Sequence, residues 1–154
     1  MAARLDSVAK FVCEAGKWEV TNLQLQKIIY MAQMFYMGQN NCDRLVDASF
    51  EAWDYGPVIP ALYHRAKAFG SRPVQDIFYS ALPFANDSPR RAVLDQVCKS
   101  LLPYTPGALV DVTHWEKGAW AKHYVPRVRG IPIPDADICA EYKDRVRKLT
   151  PAPA

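Results

Sequence analysis

The stretch from Asn22 to Gly38 restricts the fold more than any other part of this chain. Leu25, Ile28, Ile29, Ala32, Phe35 and Tyr36 recur at helical spacing and form one apolar stripe. Tyr30, Met31, Met34 and Met37 carry apolar character round the remaining sides. A helix without a polar face has no side to offer water, so other elements must wrap it. It falls short of the roughly 18 apolar residues that cross a bilayer, and it is interrupted by Gln33. The spacing therefore predicts a buried central helix over about residues 22–38. Thr21 and Gln24 fit a reciprocal capping box at its start, and Gly38 with the polar run Gln39-Asn40-Asn41 is expected to end it.

The wrapping elements are legible in the same way. Leu5, Val8, Ala9, Val12 and Cys13 mark one face of a first helix, with Gly16 as its stop. The period then changes. Residues 49–54 alternate apolar and polar positions, which predicts a short extended element, and Phe50 and Trp53 cannot share one strand face without a bend or bulge. Tyr55-Gly56-Pro57 reads as a turn, and Pro60 falls in the first turn of a following helix closed by Gly70. Ser88-Pro89 and Thr105-Pro106 are two further N-cap signals, each leading an apolar stripe. Trp120 and Tyr124 suggest a short helical turn, and Pro134 opens a last helix carrying Ile138, Cys139, Tyr142, Val146 and Leu149 in register. The expected architecture is all-α: a bundle of about six to seven helices around the central apolar helix, with a small extended element near residues 49–54. Residues 1–149 are expected to form one domain, followed by a loose tail over 150–154.

Composition narrows the class. Half of the 154 residues are hydrophobic, which argues against disorder, and the formal net charge of +3 is mild for a phosphate-binding surface. The N-terminal stretch has no continuous apolar core of the signal-peptide kind, so a cytoplasmic location is expected. Cys13, Cys42, Cys98 and Cys139 are far apart and form no CxxC pair, which reads as reduced packing thiols. His64, His114 and His123 show no HxxxH or HxH spacing, so no metal is expected. No Gly-rich phosphate loop or GxSxG elbow is present, and no cofactor is implied.

Two blocks carry a resemblance. Leu25-Gln26-Lys27-Ile28-Ile29-Tyr30, together with Glu51-Ala52-Trp53-Asp54-Tyr55-Gly56-Pro57-Val58-Ile59-Pro60, is similar to the Panacea domain family of SocA-like antitoxins, formerly labelled phage-associated proteins. Val112-Thr113-His114, Trp120 and the segment from Ile133 to Tyr142 follow in matching order, so the resemblance spans about residues 5–145. It implies an antitoxin, type II or adaptor-type, that binds and neutralises a cognate protein toxin. In SocA-like members the implied mode extends to delivering the toxin to a AAA+ protease of the ClpXP type. It implies no catalysis.

The motif residues also have readings of their own. Lys27 lies on an otherwise apolar helix, so its ammonium needs a carboxylate, with Glu51 and Asp54 as candidates, or a route to water. Trp53 is expected in the core, and Tyr55, if exposed, is a reasonable anchor for a partner. Gly56 and Pro57 shape the turn. Tyr30 belongs to the central helix, and Thr113, His114 and Trp120 to the later motif. His114 reads first as a structural histidine whose ring nitrogens satisfy nearby backbone groups. The competing functions are a DNA-binding autoregulator of its own operon and a small enzyme centred on His114 with Thr113, Asp111 or Glu116. The basic pairs Arg90-Arg91, Arg127/Arg129 and Arg145/Arg147/Lys148 read as solvated helix faces, or as contacts to an acidic partner, rather than a nucleic-acid surface.

Overall fold

A computed structural model describes residues 1–149 of the chain. The expected loose tail over 150–154 lies outside the described residues. Among the described residues the chain forms seven α-helices and a three-stranded antiparallel sheet, in the order α1 (Leu5–Ala15), α2 (Asn22–Gln39), β1 (Phe50–Trp53), β2 (Gly56–Val58), α3 (Pro60–Ala66), α4 (Pro89–Leu101), α5 (Pro106–Thr113), α6 (Ala119–His123), β3 (Pro132–Ile133) and α7 (Asp135–Leu149). No helix among the described residues is long and apolar enough to cross a membrane.

The apolar rod is the axis of the molecule. Leu25, Ile28, Ile29, Tyr30, Ala32, Met34 and Met37 are all 0% exposed. α1, α3, α4, α5, α7 and β2 all pack against α2. Its N-terminus carries the expected capping box: the Thr21 hydroxyl accepts from the Gln24 backbone, and the Gln24 side chain accepts from the Thr21 backbone. Gly38 does not end the helix, which continues to Gln39. A Cβ at Gly38 would collide with the Tyr142 ring, so the glycine there lets α7 lie close to α2.

Two polar residues of α2 do structural work that their isolation in an apolar run conceals. Gln33 is 0% exposed, and its Oε1 accepts from the backbone N–H groups of Leu45 and Val46 at 2.8 and 3.0 Å. Gln26 accepts from Ile59 N at 2.8 Å and donates to Ile59 O at 3.3 Å. Buried backbone groups that no ladder reaches are costly, and these amides supply the partner.

The extended element is larger than expected. β1 pairs with β2 in the register Glu51↔Val58, Ala52↔Pro57 and Trp53↔Gly56, and its other edge pairs Phe50 with Ile133 of β3. The register is continuous, so no bulge is needed. Phe50 and Trp53 face opposite sides, and each side is covered: Phe50 meets Tyr30 edge-on at 5.2 Å, and Trp53 meets Tyr63 at 4.7 Å. The turn is Asp54-Tyr55 rather than Tyr55-Gly56-Pro57, since Gly56 and Pro57 already belong to β2.

The reading of all four cysteines as reduced thiols is corrected. Cys42 and Cys139 form a disulfide across a sequence separation of 97, with Cα atoms 5.5 Å apart. α7 returns over the end of α2 and brings Cys139, at the start of its second turn, beside the loop that follows Gln39. Such proximity is a property of topology, which sequence spacing does not carry. Cys13 and Cys98 are free and buried as expected, and burial pushes both thiols up to about 12.

Candidate functional site

The hairpin between β1 and β2 is held in place from beneath. Trp120 donates its indole N–H to the Trp53 carbonyl at 2.7 Å, and Tyr124 donates its hydroxyl to Asp54 at 2.7 Å. His114, Trp120 and Tyr124 form a continuous stack, with ring centroids 3.7 and 4.4 Å apart along it. Asp54 also accepts from the backbone of Arg127, whose φ of 62° places it in the left-handed region. These two hydrogen bonds hold the Asp54 carboxyl below the usual carboxylate range, and the same contact with Asp54 raises the Tyr124 hydroxyl. Glu51 lies on the outer side, where its Oε1 accepts from the Trp53 indole and from Gly130 N.

Lys27 is the unusual group. It is 1% exposed, and its ammonium donates to the Pro57 carbonyl at 3.2 Å. The expected pairing with Glu51 or Asp54 does not form. No carboxylate of the described residues comes within the 4.0 Å of an ion pair with Lys27, and both acids are engaged by Trp53, Gly130, Tyr124 and Arg127 instead. The outward-pointing alternative fails as well. Burial alone pulls the Lys27 pKa down to about 7.

The later motif closes on the same point from the other side. A Cβ at Gly56 would lie 3.0 Å from Lys27 Cε and 3.1 Å from Thr113 Oγ1, and Gly56 has φ +113°. Only glycine satisfies both the backbone angle and the approach of these side chains. Thr113 spends its hydroxyl on the carbonyls of Leu109 and Val110. His114 contacts the Tyr55 backbone, but its buried Nε2 meets no hydrogen-bond partner among the described residues, so the expected satisfaction of both ring nitrogens is corrected. Burial, then the nearby Lys27 charge, lowers the His114 pKa, against the Tyr55 hydrogen bond and Asp111. Asp111 and Glu116 are exposed, and the Thr113 hydroxyl points back into its own helix, which is not the geometry of a nucleophile beside a base.

Above Lys27 opens a cleft of about 450 Å³. Asn22, Gln26 and Lys27 of α2, residues 53–55 and Val58 of the hairpin, Tyr63 of α3 and residues 127–129 line it. Arg129 lies over the Trp53 ring at 4.1 Å and over Tyr63 at 5.6 Å. Tyr55 is 70% exposed on the rim.

The structure thus brings together Lys27, Trp53, Tyr55, Gly56, Pro57, Thr113, His114 and Trp120. It leaves Tyr30 elsewhere. Tyr30 donates to Glu141 at 2.6 Å, and Glu141 also accepts from Ala119 N and Arg145. Arg145 in turn donates to the Val112 carbonyl and lies over Trp115, so it belongs to a buried polar cluster rather than a solvated face. Arg90 is used internally too, stacking on Tyr36 and donating to Arg44 O. Tyr63 and Gln26 are cleft residues that sequence reasoning did not assign to a site. For Arg127 and Arg129 the signal was their charge alone.

Helices packed round the apolar α2, with a clamped β1–β2 hairpin beside it, define a small, mostly helical domain. Residues 25–121 match the family model described as antitoxin SocA-like, Panacea domain, and the chain belongs to that family. Antitoxin SocA of Caulobacter vibrioides (strain NA1000 / CB15N) is 29% identical to it over 110 residues, covering 66% of this chain and 58% of that protein. The chain thus aligns with less than two thirds of the curated relative's length. No solved structure matches.

Proposed function

We propose that this chain is a non-enzymatic antitoxin that neutralises a cognate protein toxin by direct binding, with the hairpin corner as its contact surface. The observation that carries this reading is Tyr55: a large aromatic side chain, 70% exposed, on a turn whose backbone and neighbours are fixed by Trp120, Tyr124 and Arg127. Preordered aromatic anchors dominate binding energy because they bury much area and lose little conformational freedom. Arg44, Arg90 and Arg145 are held in internal contacts, which weighs against the operon autoregulator.

The test is co-expression with the adjacent reading frame, followed by capture of its product and measurement of affinity. Tyr55→Ala is expected to leave the fold intact and weaken capture by about 2 kcal/mol, roughly 30-fold. Unchanged capture and rescue by Tyr55→Ala sinks the assignment of the surface. A shortened toxin half-life in the presence of this chain selects delivery to a ClpXP-type protease; an unchanged half-life with rescue selects occlusion.

A further inference from the structure

We propose that the Cys42–Cys139 pair is a reversible thiol-exchange site, at which a low-molecular-weight thiol of the glutathione class opens the staple by attacking Cys42.

The two sulfurs sit in unlike surroundings. Cys42 belongs to the exposed loop after α2, whereas Cys139 is 2% exposed on the inner face of α7. A thiolate arriving from solution therefore meets the Cys42 side. It bonds to Cys42 Sγ, the S–S bond breaks, and the electron pair leaves on Cys139 Sγ, which takes a proton from water. A second small thiolate then attacks the small-molecule sulfur of the mixed disulfide. Cys42 Sγ departs with the electron pair and is protonated, and the small thiol's own disulfide is released. The protein disulfide is reduced by two electrons, and two small thiols are oxidised. The reverse sequence closes the staple.

Closure needs the opened thiols to stay together, and the contacts around them do not depend on the S–S bond. Arg44, two residues after Cys42, makes a bidentate pair with Asp135 at the start of α7, at 2.7 and 3.2 Å. The Cys42 backbone N–H donates to the Met37 carbonyl at 2.8 Å. Tyr142 lies against Gly38 and accepts from Gln39 at 3.3 Å. Cys139 Sγ lies 3.6 Å from the same Met37 carbonyl, an acceptor in place for its S–H once the staple opens. Exchange also stays confined to this pair. Cys13 and Cys98 are buried, and burial holds both as thiols rather than the thiolates that attack disulfides.

The experiment treats the oxidised full chain with reduced glutathione in native buffer, quenches with iodoacetamide at intervals and maps the peptides by mass spectrometry. Opening is expected at a rate proportional to glutathione, with unchanged tryptophan fluorescence and at least ten times more glutathione on Cys42 than on Cys139. Oxidised glutathione should then re-form the pair without unfolding. A staple that opens only when urea is added is an inert structural crosslink and overturns the proposal. So does glutathione carried mainly by Cys139, or a native chain whose four cysteines all remain thiols in oxidised glutathione. Cys139→Ser should take up one glutathione from its disulfide in native buffer, while Cys42→Ser should take up none until urea is added. If either variant fails to fold, the wild-type peptide map decides alone.

Discussion

Replacing Lys27 with methionine should make the free protein more stable, and the gain should fade as pH rises. The Lys27 pKa falls from 10.5 to about 7 on folding because the ammonium is buried without an acid. At about 1.4 kcal/mol for each tenfold change in proton affinity, holding the charge inside costs about 5 kcal/mol. The sign follows from proton counting. Between about pH 7 and 10.5 the unfolded chain binds more protons than the folded one, so stability rises with pH across that window. Below about 7 both states are protonated and the full penalty applies. Methionine has a similar length and no charge. Against the gain stands the Pro57 carbonyl, which loses its donor at a cost of about 1–3 kcal/mol. Lys27→Met should therefore gain about 2–4 kcal/mol near about pH 6 and close to nothing near about pH 9. Urea unfolding of both proteins across this range measures the difference directly. A variant that is less stable throughout, or a gap that ignores pH, refutes the picture of an uncompensated buried ammonium.

Three further outcomes are expected. Cys42→Ser should lower stability by about 5 kcal/mol on loop-closure grounds, with a reductant doing the same to the wild type and nothing further to the variant. Glu141→Ala strips the Tyr30 hydroxyl, the Ala119 N–H and Arg145 of their shared acceptor, and should cost about 3–5 kcal/mol by urea titration. Gly38→Ala places a methyl against the Tyr142 ring, and calorimetry should show a loss of about 1–3 kcal/mol where helix propensity alone favours alanine.

What was legible in the sequence is what depends on neighbours along the chain. The capping box at Thr21, the Ser88 and Thr105 caps and the stripe of α2 all follow from local hydrogen bonding and a 3.6-residue period, and all form. The motif residues Lys27, Gly56, Thr113 and His114 stand out in the sequence one by one, yet their meeting point is not readable there, because three separate chain segments supply it. The partner assigned to Lys27 was wrong for the same reason. Glu51 and Asp54 are taken by other donors, an indole, a phenol and two backbone amides. Strand β3 was missed because two residues, Pro132 and Ile133, have no period to detect. The disulfide escaped because it joins segments that only the returning α7 brings together.

The stretch that identifies the family, 25–121, includes neither α1 nor α7, yet both lie directly on the greasy axis. Excised at those limits, the rod would be stripped along two flanks, and Tyr30 would face water where it now meets Glu141. The family-matching stretch alone is thus expected not to fold as this protein does. Fusions and truncations meant to carry the hairpin corner to a new setting should keep both outer helices.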